Sequence, residues 1–266
     1  MRLITHMKHL FAPILVALSL SACTLGTETA TQGASGGGSE TLRLAQATSE
    51  AGDNETAARL FEKVLAVDPM SVPALLGAGN SYARMGQNSR AEAVLLRGHE
   101  LAPGNAEVLT TLARVYLAMQ QSERAVDTYD KALRVDRTNV AALTGKGVAL
   151  DTLSRHKQAQ GVYEDGLQLY PTNFILRSNY ALSLAISGDI VRGTAILQEL
   201  VKDPAAAPYV RGNLALVYGL DGRENDARAT LKLDLTPQEI EENLATYRAL
   251  RRMRLEGKQI GSLVFV

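Results

Sequence analysis

The chain has 266 residues, with 28 basic and 28 acidic side chains, 5% aromatic residues and no tryptophan. A formal net charge of zero provides no basic surface of the kind that concentrates DNA or RNA, so a nucleic-acid partner is excluded from our prediction. Abundant alanine and leucine with few aromatic residues favour packed helices over a sheet.

The N-terminus has the pattern of a bacterial lipoprotein signal peptide, which we assign to residues 1–22. Arg2 and Lys8 precede an apolar run at residues 10–20 that is too short to span a bilayer. The sequence LSAC at residues 20–23 resembles a lipobox, in which the thiol of Cys23 accepts a diacylglycerol. Cys23 is the only cysteine, so an internal disulfide is excluded. A cleaved secretory signal with a free thiol, or an uncleaved anchor, is the alternative.

The segment after the lipobox predicts where the protein is anchored and how. Thr24 follows the lipid-bearing cysteine, as in lipoproteins sorted to the outer membrane, so we expect a lipid-anchored outer-membrane protein that faces the periplasm. Residues 23–39 are small or polar with one leucine and predict a lipidated N-terminus followed by a flexible linker.

A repeat of 34 residues occupies the chain from residue 40 onward,. Turn-forming residues recur with this period at Gly52, Gly86, Gln120, Ser154, Gly188 and Gly222. Small residues recur at Ala57, Ala91, Ala125, Ala159, Gly193 and Ala227. Bulky residues recur at Phe61, Leu95, Tyr129, Tyr163, Leu197 and Leu231. The pattern predicts helix pairs in which large side chains pack against small ones.

This period and these residue types resemble the tetratricopeptide repeat, in which each unit is a pair of antiparallel helices. The resemblance implies an all-α fold, a right-handed α-solenoid of about six helix pairs over residues 40–235, with units starting at residues 38, 72, 106, 140, 174 and 208. Arg137 replaces the usual helix-ending proline and Pro204 falls one residue early, so we expect those two turns to differ in detail.

A separate helix is expected to follow the last unit, whose second helix should end near Leu235. Thr236, Pro237 and Glu239 supply an N-cap, a proline at the first helical position and a capping glutamate. We therefore predict a capping helix over residues 236–254, which covers the apolar end of the solenoid, and a short tail over residues 255–266.

No catalytic, cofactor-binding or metal-binding residues are predicted, and the chain is not expected to be an enzyme. His99 and His156 lie in different units without a neighbouring cysteine or an HExxH pattern, which is typical of solvated helix-surface histidines rather than ligands. A hydrolase site within the solenoid is the weakest hypothesis, because packing accounts for every unit. Arg248, Arg251, Arg252 and Arg254 indicate a solvated helix face, with contact to membrane headgroups as the alternative.

Several later segments resemble a narrower family. GVALD at residues 147–151 with RH at 155–156 and AQ at 159–160, NLAL at 213–216 with DGR at 221–223, and NLA at 243–245 with YR at 247–248 are similar to TadD proteins. These are the tetratricopeptide lipoproteins of Flp (tight-adherence, Tad) pilus assembly. The resemblance implies a non-catalytic scaffold that supports assembly of the secretin channel and binds a secretin or another Tad component. A general periplasmic scaffold for envelope or peptidoglycan enzymes is the alternative.

A partner-binding groove is predicted on the first helices, because positions 2, 5, 9 and 12 of a tetratricopeptide unit line the concave face. These positions should be polar in the third unit and apolar toward the C-terminus, where they suit an amphipathic helix or an extended peptide. The predicted groove residues are Asn80, Arg114, Val148, Ile175, Leu182, Tyr209 and Leu216. Alternatively, the capping helix or the apolar residues 263–266 already fill this channel.

Overall fold

The computed structural model describes residues 36–204 and 207–265, and all regular structure in these ranges is helical. Six antiparallel pairs follow one another along the chain. The first helices of the pairs are α1 (Gly36–Glu50), α3 (Val72–Arg84), α5 (Ala106–Ala118), α7 (Val140–Thr152), α9 (Phe174–Ile186) and α11 (Ala207–Asp221). The second helices are α2 (Asn54–Val67), α4 (Asn88–Leu101), α6 (Ser122–Val135), α8 (His156–Leu169), α10 (Ile190–Leu200) and α12 (Glu224–Leu231). The predicted all-α solenoid is confirmed.

The turn inside each pair falls where the 34-residue period places it. One residue in each turn has a positive φ: Gly52 (87°), Gly86 (72°), Gln120 (59°), Ser154 (58°), Gly188 (117°) and Gly222 (85°). These are the six predicted turn positions. Glycine adopts this conformation without a steric cost, whereas Gln120 and Ser154 hold it against the preference of their Cβ atoms.

Large side chains pack against small ones inside each unit, as the period predicts. The bulky residues of the second helices are at most 4% exposed: Phe61, Leu95, Tyr129, Tyr163, Leu197 and Leu231. A Cβ atom on Gly147 would lie 2.3 Å from Cε1 of Tyr163, and one on Gly145 would lie 2.2 Å from Cζ of Tyr129. Tyr163 lies on α8 of the same unit and Tyr129 lies on α6 of the preceding unit, so the glycines of α7 allow this helix to approach both neighbours closely.

Asparagine side chains start three successive first helices. Asn105, Asn139 and Asn173 accept hydrogen bonds from backbone N–H groups two or three residues later, which satisfies donors that have no partner within the helix.

The turn at Arg137 does not differ from the proline-containing turn at Pro69, contrary to expectation. The Asp136 carboxylate accepts from the Thr138 N–H at 2.9 Å, just as Asp68 accepts from Met70 at 3.1 Å, so aspartate organises both turns.

The two ends of the solenoid depart slightly from the predicted boundaries. Residues 36–39, which the sequence assigns to the linker, form the first turn of α1. The N–H groups of a first helical turn have no acceptor within the helix, so this turn tolerates weak helix formers. At the other end, α12 stops at Leu231 rather than near Leu235. None of the described helices has the length and apolar character required to cross a membrane.

The capping helix α13 (Pro237–Leu255) begins as predicted. Thr236 and Glu239 form a reciprocal capping box, and Pro237 occupies the first helical position,. The helix packs on α11 and α12 and buries Ile240, Leu244 and Leu250. The tail beyond it contains a short helix, α14 (Gly261–Val264), where the sequence predicts only a short tail.

Candidate functional site

The first helices of the pairs lie on the inner side of the solenoid. Each first helix contacts the first helix of the next unit, from α1 through α11, whereas the described second helices make no comparable contact with one another. The stack therefore curves with the first helices inside, and their outward-facing positions line a concave groove. This groove is the candidate binding site.

In the N-terminal half of the groove, Arg114 and Asn80 lie side by side. The Arg114 Nη2 donates to Asn80 Oδ1 at 2.6 Å, and the Thr111 hydroxyl lies 3.5 Å from the same oxygen. Arg114 is exposed by area, yet the groove walls displace enough water to lower the pKa of its guanidinium, with a smaller effect from Arg84. No carboxylate among the described residues pairs with Arg114, so its charge is available to an acidic partner.

In the C-terminal half, two predicted groove residues form an exposed apolar strip. Ile175 is 40% exposed and Tyr209 is 46% exposed, and both stand near the N-terminal ends of their helices. The Tyr209 ring meets Phe174 edge to face at 6.2 Å, and its hydroxyl donates to Asn179 Oδ1 at 3.1 Å. The strip is therefore held in a fixed orientation while it remains open to solvent.

The prediction that Leu182 lines the open groove is wrong. Leu182 is 3% exposed and belongs to a hydrophobic cluster that spans α9 to α13 and includes Ile260 of the tail. Leu216 is half-buried against the same cluster, and Val148 is half-buried on α7. Leu182 therefore belongs to the core, because residues of α10, α11 and α13 and Ile260 of the tail join the same cluster at this end of the solenoid.

The tail covers one edge of the groove, at the C-terminal ends of the first helices. Ile260 is 3% exposed, and α14 contacts α7. A Cβ atom on Gly261 would lie 2.0 Å from the carbonyl oxygen of Asp151, so the tail backbone touches the end of α7. Ile175 and Tyr209 stand at the opposite ends of their helices and stay exposed. The self-capping alternative therefore applies to one edge only; Val266 lies outside the described residues.

A buried polar cluster beside the tail was missed by the sequence reasoning. The Asp151 carboxylate receives hydrogen bonds from Ser183 Oγ at 2.7 Å and Tyr163 OH at 3.1 Å, and it lies 2.7 Å from His156 Nδ1. Burial raises the pKa of Asp151, while these hydrogen bonds act in the opposite direction. Ser183 is fully buried and donates to Asp151 rather than to His156, so the geometry joins the fourth and fifth units and does not resemble a nucleophile activated by a base.

The sequence predicts two solvated histidines, but both are partly buried. His156 is paired with Asp151 and only 17% of its side chain is exposed. His99 is half-buried, and its buried Nδ1 has no hydrogen-bond partner among the described residues. Neither belongs to a group of metal-ligating side chains within the described part of the chain.

The arginines of α13 are partly engaged with the sixth unit. Arg248 pairs with Glu224 at 2.8 Å, and Arg254 donates to the Leu220 carbonyl at 3.2 Å. Arg251 and Arg252 are exposed. The predicted lipidation site, Cys23, lies outside the described residues.

The fold and its open groove define a class: an all-helical repeat scaffold. Models of the tetratricopeptide repeat match residues 49–99 and 110–174. The chain belongs to the tetratricopeptide repeat family, whose members bind other proteins or peptides.

Two relatives match part of the chain by sequence. A Sinorhizobium fredii protein, "Uncharacterized protein y4yS", is 33% identical over 141 residues, and the alignment covers 49% of this chain and 76% of that protein. Anaphase-promoting complex subunit 3 of Schizosaccharomyces pombe is 28% identical over 99 residues, which cover 37% of this chain and only 15% of that protein.

Solved structures show the same fold. A tetratricopeptide repeat protein from Parabacteroides merdae superposes with a TM-score of 0.65 at 15% identity, covering 82% of this chain and 98% of that one. YrrB, described as a TPR protein with an unusual peptide-binding site, superposes with a TM-score of 0.50 at 17% identity, covering 64% of this chain and 89% of that one.

Proposed function

We propose that the protein is an outer-membrane lipoprotein scaffold that supports assembly of the Flp (tight-adherence) pilus by binding a segment of the secretin in its groove. The observation that carries the scaffold role is the open surface formed by Arg114 with Asn80 at one end and by Ile175 with Tyr209 at the other. An arginine without a carboxylate partner and a fixed aromatic side chain are typical anchors of protein interfaces.

The chemistry of this surface selects the class of partner. An extended or helical protein segment with an acidic residue near Arg114 and an apolar residue near Tyr209 would match both ends of the groove. The peptide-binding description of YrrB supports a peptide as ligand. The pilus role rests on the resemblance of residues 147–160, 213–223 and 243–248 to TadD proteins, and the membrane location rests on the lipobox at Cys23.

A pull-down from detergent-solubilised envelope tests this proposal. The wild-type chain is compared with Tyr209→Ser, and Val191→Ser is the matched control, because Val191 is 83% exposed on the second helix α10. We expect the secretin with the wild type and the control, and several-fold less with Tyr209→Ser. Recovery of peptidoglycan enzymes in place of the secretin would support the general periplasmic scaffold. Equal recovery of the secretin with Tyr209→Ser and Val191→Ser would exclude the groove as the binding site.

The anchor is tested separately. Cys23→Ser should remove palmitate labelling and shift the protein out of the outer-membrane fraction, whereas Ser21→Thr, which keeps the thiol, should still be labelled. Labelling of the Cys23→Ser variant would contradict the lipoprotein assignment.

A further inference from the structure

A cavity of about 550 Å³ lies between the tail and the start of α8. Residues 154–158 form one wall, residues 257–260 with Arg254 form the other, and Ile186 and Ser187 close the floor. This cavity lies at the turn edge of the solenoid, away from the exposed strip of Ile175 and Tyr209.

Positive charges converge on this cavity from both walls. Arg155 and Lys157 belong to the α8 wall, Arg254 and Lys258 belong to the tail wall, and no aspartate or glutamate lines the cavity. Like charges that line one cavity are unfavourable where no anion compensates them.

Two of these four charges have no carboxylate partner. Arg155 forms a bidentate pair with Glu123, and Lys258 pairs with Glu256 at 2.8 Å; both pairs are largely exposed to solvent. In the described part of the chain, Lys157 forms no ion pair, and Arg254 has only the Leu220 carbonyl as acceptor. Two positive charges therefore remain uncompensated at the cavity.

A further feature favours a bound anion. The α8 N-terminus opens at the same cavity, and no side chain caps it, so the helix dipole adds to the positive potential.

We propose that this cavity binds a phosphate group, held between Lys157 on α8 and the guanidinium of Arg254. A phosphate carries close to two negative charges near neutral pH and presents several acceptor oxygens, which matches two uncompensated cations better than a carboxylate does. The planar guanidinium suits the tetrahedral oxyanion. The group can come from a soluble phosphorylated molecule or from a phospholipid headgroup. The inference is independent of which protein occupies the groove.

Titration calorimetry of the full chain with inorganic phosphate at low ionic strength tests the proposal. Lys157→Gln should weaken binding about tenfold, because a hydrogen bond to a charged group is worth about one decade of affinity. Lys63→Gln is the matched control, since Lys63 is an exposed lysine far along the chain with no ion pair in the described part. Arg254→Lys keeps the charge but loses the planar fork, and it should give an intermediate affinity.

Vesicle sedimentation separates the two sources of phosphate. Phosphatidylcholine vesicles with and without phosphatidic acid are mixed with wild type, Lys157→Gln and Lys63→Gln. Phosphatidic-acid-dependent binding that Lys157→Gln weakens would identify a headgroup site, and phosphate binding in calorimetry alone would identify a soluble ligand. The proposal is overturned if neither probe binds, or if Lys157→Gln and Lys63→Gln bind equally.

Discussion

At the scale of single residues, the contact between Gly147 and Tyr163 sets how closely the helices of the fourth unit approach. Tyr163 is fully buried and its hydroxyl is tied to Asp151, so the ring cannot move aside. The sequence predicts the large residue and the small ones by their period. It does not predict the hydrogen bond to Asp151, because Asp151 and Tyr163 lie on the two helices of one unit and the repeat period does not show which polar side chains meet between them.

A substitution at this contact should be destabilising. Gly147→Ala places a Cβ atom 2.3 Å from the Tyr163 ring, and we expect a loss of about 1 to 3 kcal/mol in the free energy of unfolding. Gly161→Ala in α8 is the control, since nothing lies within 4 Å of its Cβ position; it should gain up to about 1 kcal/mol from helix propensity. Equal effects of the two changes in chemical denaturation would contradict the packing described here.

The buried Asp151 gives a second prediction. Asp151→Ala leaves Ser183, Tyr163 and His156 without their acceptor, and we expect a loss of about 3 kcal/mol. Asp165→Ala is an exposed aspartate-to-alanine control and should change the stability by less than about 0.5 kcal/mol. Urea denaturation measures the free energy of unfolding of both variants. A loss for Asp151→Ala no larger than that for Asp165→Ala would show that the cluster does not stabilise the fold.

At the scale of elements, the turns show what a repeat pattern can and cannot predict. All six turn positions follow from the period, because the first helix of every pair ends at one residue with positive φ,. The arginine-over-tyrosine contacts next to these turns were missed. Arg90 lies 4.1 Å from the centroid of the Tyr82 ring and Arg124 lies 3.9 Å from that of Tyr116. The sequence has an arginine eight residues after each of these two tyrosines, but an arginine or a tyrosine alone is equally common on a solvent-exposed helix surface.

Gln120 offers a test of a single turn. Its φ of 59° is unfavourable for a residue with a Cβ atom, so Gln120→Gly should stabilise the fold by about 1 kcal/mol. The neighbouring Gln121 has a φ of −97°, and Gln121→Gly should instead be destabilising by about 0.5 kcal/mol, from backbone entropy. The two changes should move the thermal midpoint in opposite directions; a shift in the same direction would argue against strain at Gln120.

The tail is the element that sequence reasoning described least well. Residues 257–265 contain one turn of helix and no periodic pattern, so their position depends on the tertiary contact of Gly261 with the end of α7. Gly261→Ala should displace the tail, because its Cβ atom would lie 2.0 Å from the Asp151 carbonyl oxygen. Amide hydrogen exchange of residues 257–265 should then accelerate. Ser262→Ala, at an exposed position, should leave exchange unchanged, and protection retained in Gly261→Ala would contradict the docked tail.

At the scale of the whole molecule, the period of the sequence determines most of the fold. Predicted and observed starts of the helix pairs differ by at most two residues. The repeat period predicts only part of the groove. Arg114 and Asn80 are brought together as their equivalent positions imply, and Ile175 and Tyr209 are exposed. Leu182 holds an equivalent position but is buried in the cluster formed by α9 to α13 and Ile260, and the repeat period does not predict that packing.

The central claim is that a partner segment lies in the concave groove, and site-specific photo-crosslinking in intact envelopes tests it most directly. A photoreactive phenylalanine analogue replaces Tyr209 in the groove or, as control, Val191 on the second helix α10. We predict a crosslink to the secretin from position 209, weakened when Arg114→Gln is added and unaffected by Arg134→Gln, which changes an exposed arginine on α6. Equal crosslinking from positions 209 and 191, or none from position 209, would contradict the account.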